Sequence, residues 1–270
     1  MKRLTLRLGL LLVGFNLAVG LLTFFWTPHD PGAMIGGRLS PPSWTHWAGT
    51  DRLGRDFLSQ VMVGARIALL VGAGATLLGG AVGISLGVLA AYARRGLDDA
   101  FAAALDILIA FPTLLLAMLV VAASETASLG TAILAIGLAM SAIIARLARI
   151  LTKRVLAQDY VTAARCSGLS WARLTRTHVL PNILPTLAVA LAAQFGLAVI
   201  AEASLSYLGL GAPPPNASWG TLLQQAQSTV HRAPIGVILP GLALVSLVLG
   251  INFLADGLRD LLDPEREGAE

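Results

Sequence analysis

Long apolar runs alternate with polar and charged segments along the whole chain. Six runs cover residues 8–26, 67–92, 100–122, 129–145, 183–205 and 235–255. Each comes close to the roughly 20 residues with which an α-helix crosses the hydrocarbon core of a bilayer. The pattern therefore predicts an all-α integral membrane protein with six transmembrane helices.

The first run is predicted to be a transmembrane helix that the mature protein retains. It follows three basic residues, Lys2, Arg3 and Arg7, and ends in the aromatic residues 24–26. A cleaved signal peptide has a shorter apolar core and a cleavage site of small residues. Aromatic side chains are typical of the membrane interface at the end of a span.

A polar segment, residues 27–65, separates the first two runs and contains several prolines. Near its end, four apolar residues recur at every fourth position: Leu53, Phe57, Val61 and Ala65. This period predicts an amphipathic helix that lies on the membrane surface before the chain re-enters the bilayer. The sequence thus divides into a first helix (1–26), this segment (27–65), a five-helix core (66–264) and a tail (265–270).

Basic side chains are distributed unevenly between the two sides that six spans define. Fourteen of the 19 Lys and Arg fall on the side of the N terminus, and the remaining five fall on the opposite side. Short cytoplasmic loops carry the excess of positive charge in membrane proteins. Both termini and the loop at 159–185 are therefore predicted to be cytoplasmic.

Composition agrees with a membrane protein and excludes several other classes. Only 13% of the residues are charged and the mean hydropathy is +0.77, whereas soluble domains are about 25% charged. Lys2 and Lys153 are the only lysines, so we expect contact with membrane lipid and none with nucleic acid. The single Cys166 excludes an internal disulfide and a C-x-x-C motif, and we expect it to be a small packing residue.

Three glycines repeat at four-residue spacing in the second run. Gly79, Gly83 and Gly87 fall on one face of a helix. Small residues at this spacing let the backbone of a second helix approach closely. The repeat indicates either a specific helix–helix interface or ordinary packing of small residues.

The 159–185 loop is the longest segment of the second half without an uninterrupted apolar run. Asp159 is predicted to cap a short helix, because a carboxylate stabilises the free N–H groups at a helix start. One face of this helix is small except at its beginning: Tyr160, Ala163, Ala164 and Ser167. Gly168 is predicted to stop the helix, and a second helical piece would end at Pro181. Such a surface element either contacts a soluble partner or is an ordinary interfacial segment.

The spacing within this loop resembles the EAA loop of ABC importer permeases. Thr162-Ala163-Ala164 is followed after three residues by Gly168, and after nine more by His178-Val179-Leu180-Pro181. The usual pattern is E-A-A-x3-G-x9-I-x-L-P. Thr162 stands where Glu is usual and His178 where Ile is usual, which weakens any expected ion pair to an ATPase from position 162. His178 is expected to pack or to cap a helix.

A second motif lies in the polar segment. It reads GTDRLGRD at 49–56 and GAR at 64–66, with these signature residues: Gly49, Thr50, Asp51, Gly54, Arg55, Asp56, Gly64 and Arg66. It is similar to the signature of one of the two permease subunits of peptide and nickel ABC importers. Residues 106–112, 205–211 and 258–264 also resemble the sequence patterns that are usual in that family.

The resemblance implies a type I ABC importer permease in a bacterial inner membrane. Such a chain pairs with a second, homologous permease, binds two cytoplasmic ATPases through the 159–185 loop, and receives its substrate from an extracytoplasmic binding protein. The implied substrate is a di- or oligopeptide, or nickel or another metal chelate, moved by alternating access.

The sequence indicates independently that this chain is not itself an ATPase. A phosphate-binding loop needs G-x-x-x-x-G-K-[ST], and neither lysine lies in one. We therefore expect no cofactor on this chain, and ATP with Mg²⁺ only in partner subunits.

Three polar residues within the runs are candidates for the translocation pathway or for helix pairing. Intramembrane carboxylates are costly and by default functional, but we expect Asp106 to pair with Arg146 or Arg149. Glu202 either faces the pathway or lies at the interface. Asn252 is expected to make an interhelical hydrogen bond.

Two other function classes fit the sequence less well. A self-contained, ion-coupled secondary transporter would need carboxylates near the middle of the membrane, and the few acidic residues lie towards the ends of the runs. An intramembrane enzyme would need paired ligands or a nucleophile with a base. All four histidines fall outside the runs, and because His29, His46 and His231 are scattered over loops, no metal site is predicted.

Overall fold

The computed structural model describes residues 2–124, 128–211, 213 and 216–262. Within these ranges the chain is helical, with two isolated β-bridges and no strand. The helices are α1 (Lys2–Leu22), α2 (Phe57–Ala91), α3 (Arg95–Ala110), α4 (Thr113–Ala123), α5 (Leu129–Leu156), α6 (Asp159–Cys166), α7 (Trp171–Leu174), α8 (Leu180–Tyr207), α9 (Trp219–Ala226) and α10 (Ile235–Leu262). The predicted tail, residues 265–270, lies outside the described residues.

Among the described residues, five helical segments are long and apolar enough to cross a membrane. They are α1, α2, α5, the continuous stretch from α7 through α8, and α10. A sixth span results if α3 and α4 are counted as one broken span. The all-α, multi-pass architecture predicted from the sequence is therefore confirmed, with one span interrupted.

The predicted surface helix at residues 53–65 is not a separate element. Instead, α2 begins at Phe57 and continues without a break to Ala91. Phe57, Val61 and Ala65 are all buried inside the bundle. No residue between 57 and 67 breaks a helix, so the four-residue period belongs to the first turns of a core helix.

The predicted third span, residues 100–122, is bent by 91° between α3 and α4. The bend lies at Phe111 and Pro112. Phe111 adopts an extended conformation with φ −78° and ψ 135°, which is the region that a residue before proline prefers. The proline thus ends α3 and starts a helix in a new direction.

The fourth predicted span ends eleven residues later than expected, because α5 continues to Leu156. Its last turns carry basic residues that bind α3. Arg149 Nε donates to Asp98 Oδ1 at 2.5 Å, and Lys153 also pairs with Asp98, which is buried. Two turns further along α3, Asp106 pairs with Arg146 at 3.1 Å, as expected, but both side chains are more than half exposed.

The glycine repeat of α2 packs directly on the backbone of α5. A Cβ placed on Gly79 would lie 2.8 Å from the carbonyl oxygen of Gly137, and one on Gly83 would lie 2.6 Å from that of Ser141. These distances leave no room for a side chain. The repeat is therefore a specific helix–helix interface, and α2 with α5 forms the centre of the bundle.

We expect Gly83→Ala to destabilise the bundle. The added methyl meets backbone atoms of α5 that cannot move separately, so the two helices must shift apart. Overpacking of this kind costs about 1–3 kcal/mol. Unfolding of the purified chain by sodium dodecyl sulfate in mixed micelles measures the loss.

Gly241→Ala in α10 is the matched control, because a Cβ there meets nothing within 4 Å. An alanine is favoured over glycine inside a helix by about 1 kcal/mol, so this variant should equal or exceed the wild type in stability. Equal loss in both variants would contradict the close contact.

A second pair of variants compares the two carboxylates of α3. Asp98→Ala leaves the largely buried guanidinium of Arg149 without its partner, and we expect a loss of at least about 2 kcal/mol. Asp106→Ala removes an exposed ion pair, for which we expect less than about 1 kcal/mol. The same unfolding assay measures both, and a reversed order would refute the assigned roles.

Candidate functional site

The 159–185 loop begins with α6, which follows α5 after two residues. Gln158, and not Asp159, occupies the N-cap position, and its side chain makes no capping hydrogen bond. Asp159 lies in the first turn of the helix instead. Its carboxylate still interacts favourably with the helix dipole, so the predicted cap is wrong by one position.

The outer face of α6 is small and exposed. Ala163 and Ser167 are exposed, and Ala164 is half-buried. Thr162 directs its hydroxyl back to the carbonyl oxygen of Gln158 at 3.4 Å. The residue in the position of the usual Glu therefore offers no charge to a partner.

Gly168 ends this helix as predicted. Its φ is +86°, a left-handed conformation that side chains disfavour. A Cβ at this position would meet nothing within 4 Å, so the chain itself leaves the space beside Gly168 open. Cys166, expected to pack inside, is exposed as well.

The inner face of the loop is anchored in the bundle. Val161, Leu174 and Val179 are fully buried. They share one apolar cluster with residues of α2, α5 and α8, namely Val88, Ile144, Ala148, Ile183 and Leu187. Any displacement of the loop must therefore move against three membrane helices at once.

Aromatic and polar contacts reinforce this attachment. The hydroxyl of Tyr92, just after α2, hydrogen-bonds with Thr175 Oγ1 at 2.7 Å. The Tyr92 ring also packs edge-on against Trp171 at 4.8 Å, and the guanidinium of Arg165 lies 3.7 Å from the centre of the Trp171 ring. Arg165 is thus engaged within the chain.

The loop joins α8 through a π-helical turn, Thr175–Val179. The N–H of Leu180 donates to the carbonyl of Thr175, a five-residue spacing. The prediction that Pro181 ends a helix is therefore wrong. Pro181 lies at the second position of α8, directly after the π-helical turn and within the continuous stretch from α7 through α8. His178 packs edge-on against Tyr160 at 5.9 Å.

The signature at 49–56 forms a tight turn that leads into α2. Gly49 and Gly54 have φ of +75° and +80°. Thr50 Oγ1 donates to the carbonyl oxygen of Gly37 at 2.5 Å. Asp51 Oδ1 accepts from the N–H groups of Leu53 and Arg55 at 2.8 and 2.9 Å.

The second oxygen of Asp51 completes the turn. Its Oδ2 accepts from Arg55 Nε at 2.7 Å and from Gln60 Nε2 at 3.1 Å. Because Gln60 belongs to α2, this carboxylate ties the turn to the helix. The signature residues therefore have a structural role that spacing alone did not reveal.

Asp56 caps α2 and is almost fully buried. Its Oδ2 accepts from the N–H and the hydroxyl of Ser59 at 2.9 and 2.7 Å, and its Oδ1 lies 2.9 Å from His46 Nδ1. Burial raises the pKa of the Asp56 carboxyl, but the hydrogen bonds from Ser59 and His46 outweigh it and hold the pKa below its usual value.

His29 joins the same group, contrary to the expectation that the histidines are scattered. His29 Nδ1 lies 3.6 Å from Asp56 Oδ1, and the rings of His29 and His46 are 4.8 Å apart. The three residues form a set that could hold a metal ion. The sequence missed it because loop residues far apart in the chain meet only after folding.

The remaining signature residues connect neighbouring segments. Gly64 makes room for the buried ring of Trp219, whose Nε1 donates to the carbonyl of Val61 at 2.9 Å. Arg66 places its guanidinium 4.9 Å from the centre of the Phe24 ring, beyond the end of α1. Both contacts fix the outer end of α2 against its neighbours.

The pathway candidates do not come together. Glu202 is buried with 3% exposure and accepts from Ser206 Oγ at 2.7 Å, so it does not face the surface of the chain. Asn252 is exposed on α10 and forms no side-chain hydrogen bond with another described residue, so the predicted interhelical bond is not made within the described part of this chain. The apolar surroundings of Asn252 gave no sign of which face it occupies.

One charged residue with a clear structural role was missed. Asp98 holds the end of α5 through Arg149 and Lys153, immediately before the 159–185 loop begins. It lies near a loop in the sequence, next to Asp99, where an exposed acidic pair is the ordinary expectation. No local signal marks one of the two as buried.

Comparison with known proteins is consistent across the chain. Residues 83–268 match the family described as binding-protein-dependent transport system inner membrane component. A putative peptide transport system permease protein of Brucella suis biovar 1 is 39% identical over 98% of this chain and 89% of its own length. The di/tripeptide transport system permease protein DppC of Pseudomonas aeruginosa is 37% identical over 97% of this chain and 88% of its own length.

Solved structures agree on the fold. The MetNI methionine ABC transporter in inward-facing conformations contains a chain that matches 76% of this one and 96% of its own length, with a TM-score of 0.63 and 20% identity. A chain of an amino acid ABC transporter crystallised with histidines matches 75% of this chain and 91% of its own length, with a TM-score of 0.55 and 18% identity. The chain belongs to the binding-protein-dependent transport system inner membrane components and is a permease subunit of an ABC importer in the inner membrane.

Proposed function

We propose that this chain forms one half of the transmembrane pore of an importer for di- or oligopeptides. A second, homologous permease supplies the other half, and two cytoplasmic ATPases bind the 159–185 loops. An extracytoplasmic binding protein delivers the substrate. Family membership supports ATPase and binding-protein partners in general, and the detailed composition is our proposal.

The observation that carries this proposal is the two-sided construction of the 159–185 loop. Its outer face, with Ala163 and Gly168, is small and exposed. Its inner face, with Val161 and Leu174, is fully buried against the membrane helices. A surface built in this way accepts a partner closely and passes its movement on to the bundle.

Shape contributes more to this docking surface than charge does. Thr162 replaces the usual Glu and turns its hydroxyl to its own helix. Arg165 is engaged by Trp171. The exposed small residues remain, and they let a partner helix or groove approach the backbone of α6.

The energy for transport is expected to come from the partners. Neither Lys2 nor Lys153 lies in a phosphate-binding loop. ATP and Mg²⁺ would therefore bind in the ATPase subunits, and this chain would carry no catalytic residue for hydrolysis. Closure of the ATPases would push the 159–185 loop and reorient the spans, which is alternating access.

A gradient-driven secondary transporter finds little support in the described spans. Glu202 is buried and hydrogen-bonded to a serine of its own helix. Asp106 is paired with Arg146 at the surface of the chain. Neither carboxylate is placed to bind and release a coupling ion within a pathway.

Peptides are the substrate class that the relatives favour. Their names refer to peptides, di- and tripeptides and, for a permease of Pectobacterium atrosepticum that is 40% identical over 83% of this chain and 74% of its own length, glutathione. The substrates in these names are those of the relatives. We extend the class to this chain because the alignment with the first two covers nearly all of it.

We expect Gly168→Asp to abolish ATP-dependent uptake of a labelled dipeptide into proteoliposomes that contain the complete transporter. The substitution strains a left-handed backbone position and puts a charged side chain into the open space of the docking surface. Membrane insertion should be unchanged, because a side chain at position 168 would meet no other described part of the chain. Uptake at the wild-type rate would refute the docking role.

Gly96→Asp is the matched control. Gly96 is also an exposed glycine on the predicted cytoplasmic side, and a Cβ there meets nothing within 4 Å. It lies in the first turn of α3, where an acidic residue is well tolerated. This variant should transport normally, and loss of uptake in both variants would point to a general effect of surface charge.

The single cysteine provides an independent measurement of docking. Cys166 is exposed on the last turn of α6. Bound ATPase should slow its reaction with a maleimide several-fold in inverted membrane vesicles, compared with vesicles stripped of ATPase. An unchanged labelling rate would show that the partner does not cover this face.

A further inference from the structure

We infer that His29, His46 and Asp56 form a binding site for a transition-metal dication of the Zn²⁺ class on the extracytoplasmic side. Each residue offers one ligand atom, and the three atoms lie within 4.8 Å of one another. Two imidazoles and one carboxylate are a ligand set that zinc commonly takes in proteins. The site is separate from the 159–185 loop.

The distances are close to those of a coordinated ion. Asp56 Oδ1 lies 2.9 Å from His46 Nδ1 and 3.6 Å from His29 Nδ1. In a tetrahedral zinc site with bonds of about 2.0–2.2 Å, neighbouring ligand atoms are about 3.3 Å apart. The third pair, between the ligand atoms of the two histidines, lies within 4.8 Å. On binding, the two rings would turn towards the ion, and the hydrogen bond between His46 and Asp56 would be replaced by a bond from each residue to the metal.

One candidate ligand atom, His29 Nδ1, is buried and has no hydrogen-bond partner among the described residues. In the tautomer with the proton on Nε2, the lone pair of Nδ1 is available to a metal ion. A buried polar atom without a partner is unfavourable. Here the nitrogen faces a carboxylate and a second imidazole, which is the arrangement of a ligand.

Ser59 supports two of the three ligands from behind. Its N–H and hydroxyl both donate to Asp56 Oδ2, which leaves Oδ1 directed at the histidines. Its hydroxyl oxygen also accepts from the backbone N–H of His29 at 3.0 Å. Such outer contacts fix the orientation of metal ligands and are a regular feature of metal sites.

The chemistry of the ligands defines the class of ion. Nitrogen and oxygen donors without a thiolate suit Zn²⁺, Ni²⁺ or Co²⁺ better than Mg²⁺, which prefers oxygen alone. Three protein ligands leave at least one position for water. His29 lies in the segment after α1, whereas Asp56 caps α2 and is only 1% exposed. A bound ion would therefore connect that segment to the start of α2.

The test measures zinc binding to the complete transporter in lipid nanodiscs. After removal of metals with a chelator, the complex is dialysed against Zn²⁺ and its metal content is determined by mass spectrometry. We expect the wild type to bind one more zinc per chain than His29→Ala. Equal zinc content in the two would overturn the inference.

His29→Ala is informative because it spares the fold. His29 Nδ1 has no hydrogen-bond partner among the described residues. The variant loses the ring contact with His46, but the contacts of Asp56 with His46 and Ser59 remain. His231→Ala is the matched control, since His231 is an exposed loop histidine outside the group. It should bind zinc as the wild type does, and a loss equal to that of His29→Ala would also overturn the site.

Cobalt provides a second readout that is independent of stoichiometry. Co²⁺ in a four-coordinate site of two imidazoles, a carboxylate and water absorbs visible light far more strongly than six-coordinate aqueous Co²⁺, and the wild type should show this strong absorption. His29→Ala should weaken Co²⁺ binding at least about tenfold. A spectrum of six-coordinate, aqueous Co²⁺ in the wild type would contradict the site.

Discussion

The backbone contact between α2 and α5 is the constraint on which the rest of the structure depends. Gly83 lies so close to the carbonyl oxygen of Ser141 that no side chain fits between the helices. Without a hydrophobic driving force inside the bilayer, such close packing is a main source of helix association. The pair forms the centre: α3 and α4 pack on α5, and α8 packs on both helices. The helix α1 contacts α2 but packs mainly on α10, which also contacts α8.

The same pair receives the cytoplasmic loop. Val161 and Leu174 insert beside Val88 of α2 and Ile144 of α5, with essentially no exposure. Protein interiors are close-packed and transmit displacement with little compression. A push on the exposed face of α6 therefore reaches the central helix pair directly, and Asp98 ensures that the end of α5 moves together with α3.

Features set by local sequence were predictable, whereas those set by distant partners were not. Apolar runs gave the spans because the bilayer requires length and apolarity, and the stop at Gly168 followed from its conformational freedom. The 91° bend at Pro112 was missed, since a proline in an apolar run can also be accommodated in a straight helix. The group of His29 with Asp56 was invisible because loop geometry decides which side chains meet.

The two functional regions are connected by one uninterrupted helix. With 35 residues at 1.5 Å each, α2 is about 52 Å long and spans the membrane from the signature turn to the 159–185 loop. Asp56 fixes its outer end through Ser59 and His46, and Tyr92 fixes its inner end to Thr175. Because a helix resists compression along its axis, α2 connects the outer turn mechanically to the cytoplasmic loop. If the ATPases bind the 159–185 loop as proposed, a push on that loop is transmitted along α2 to the signature turn at residues 49–56.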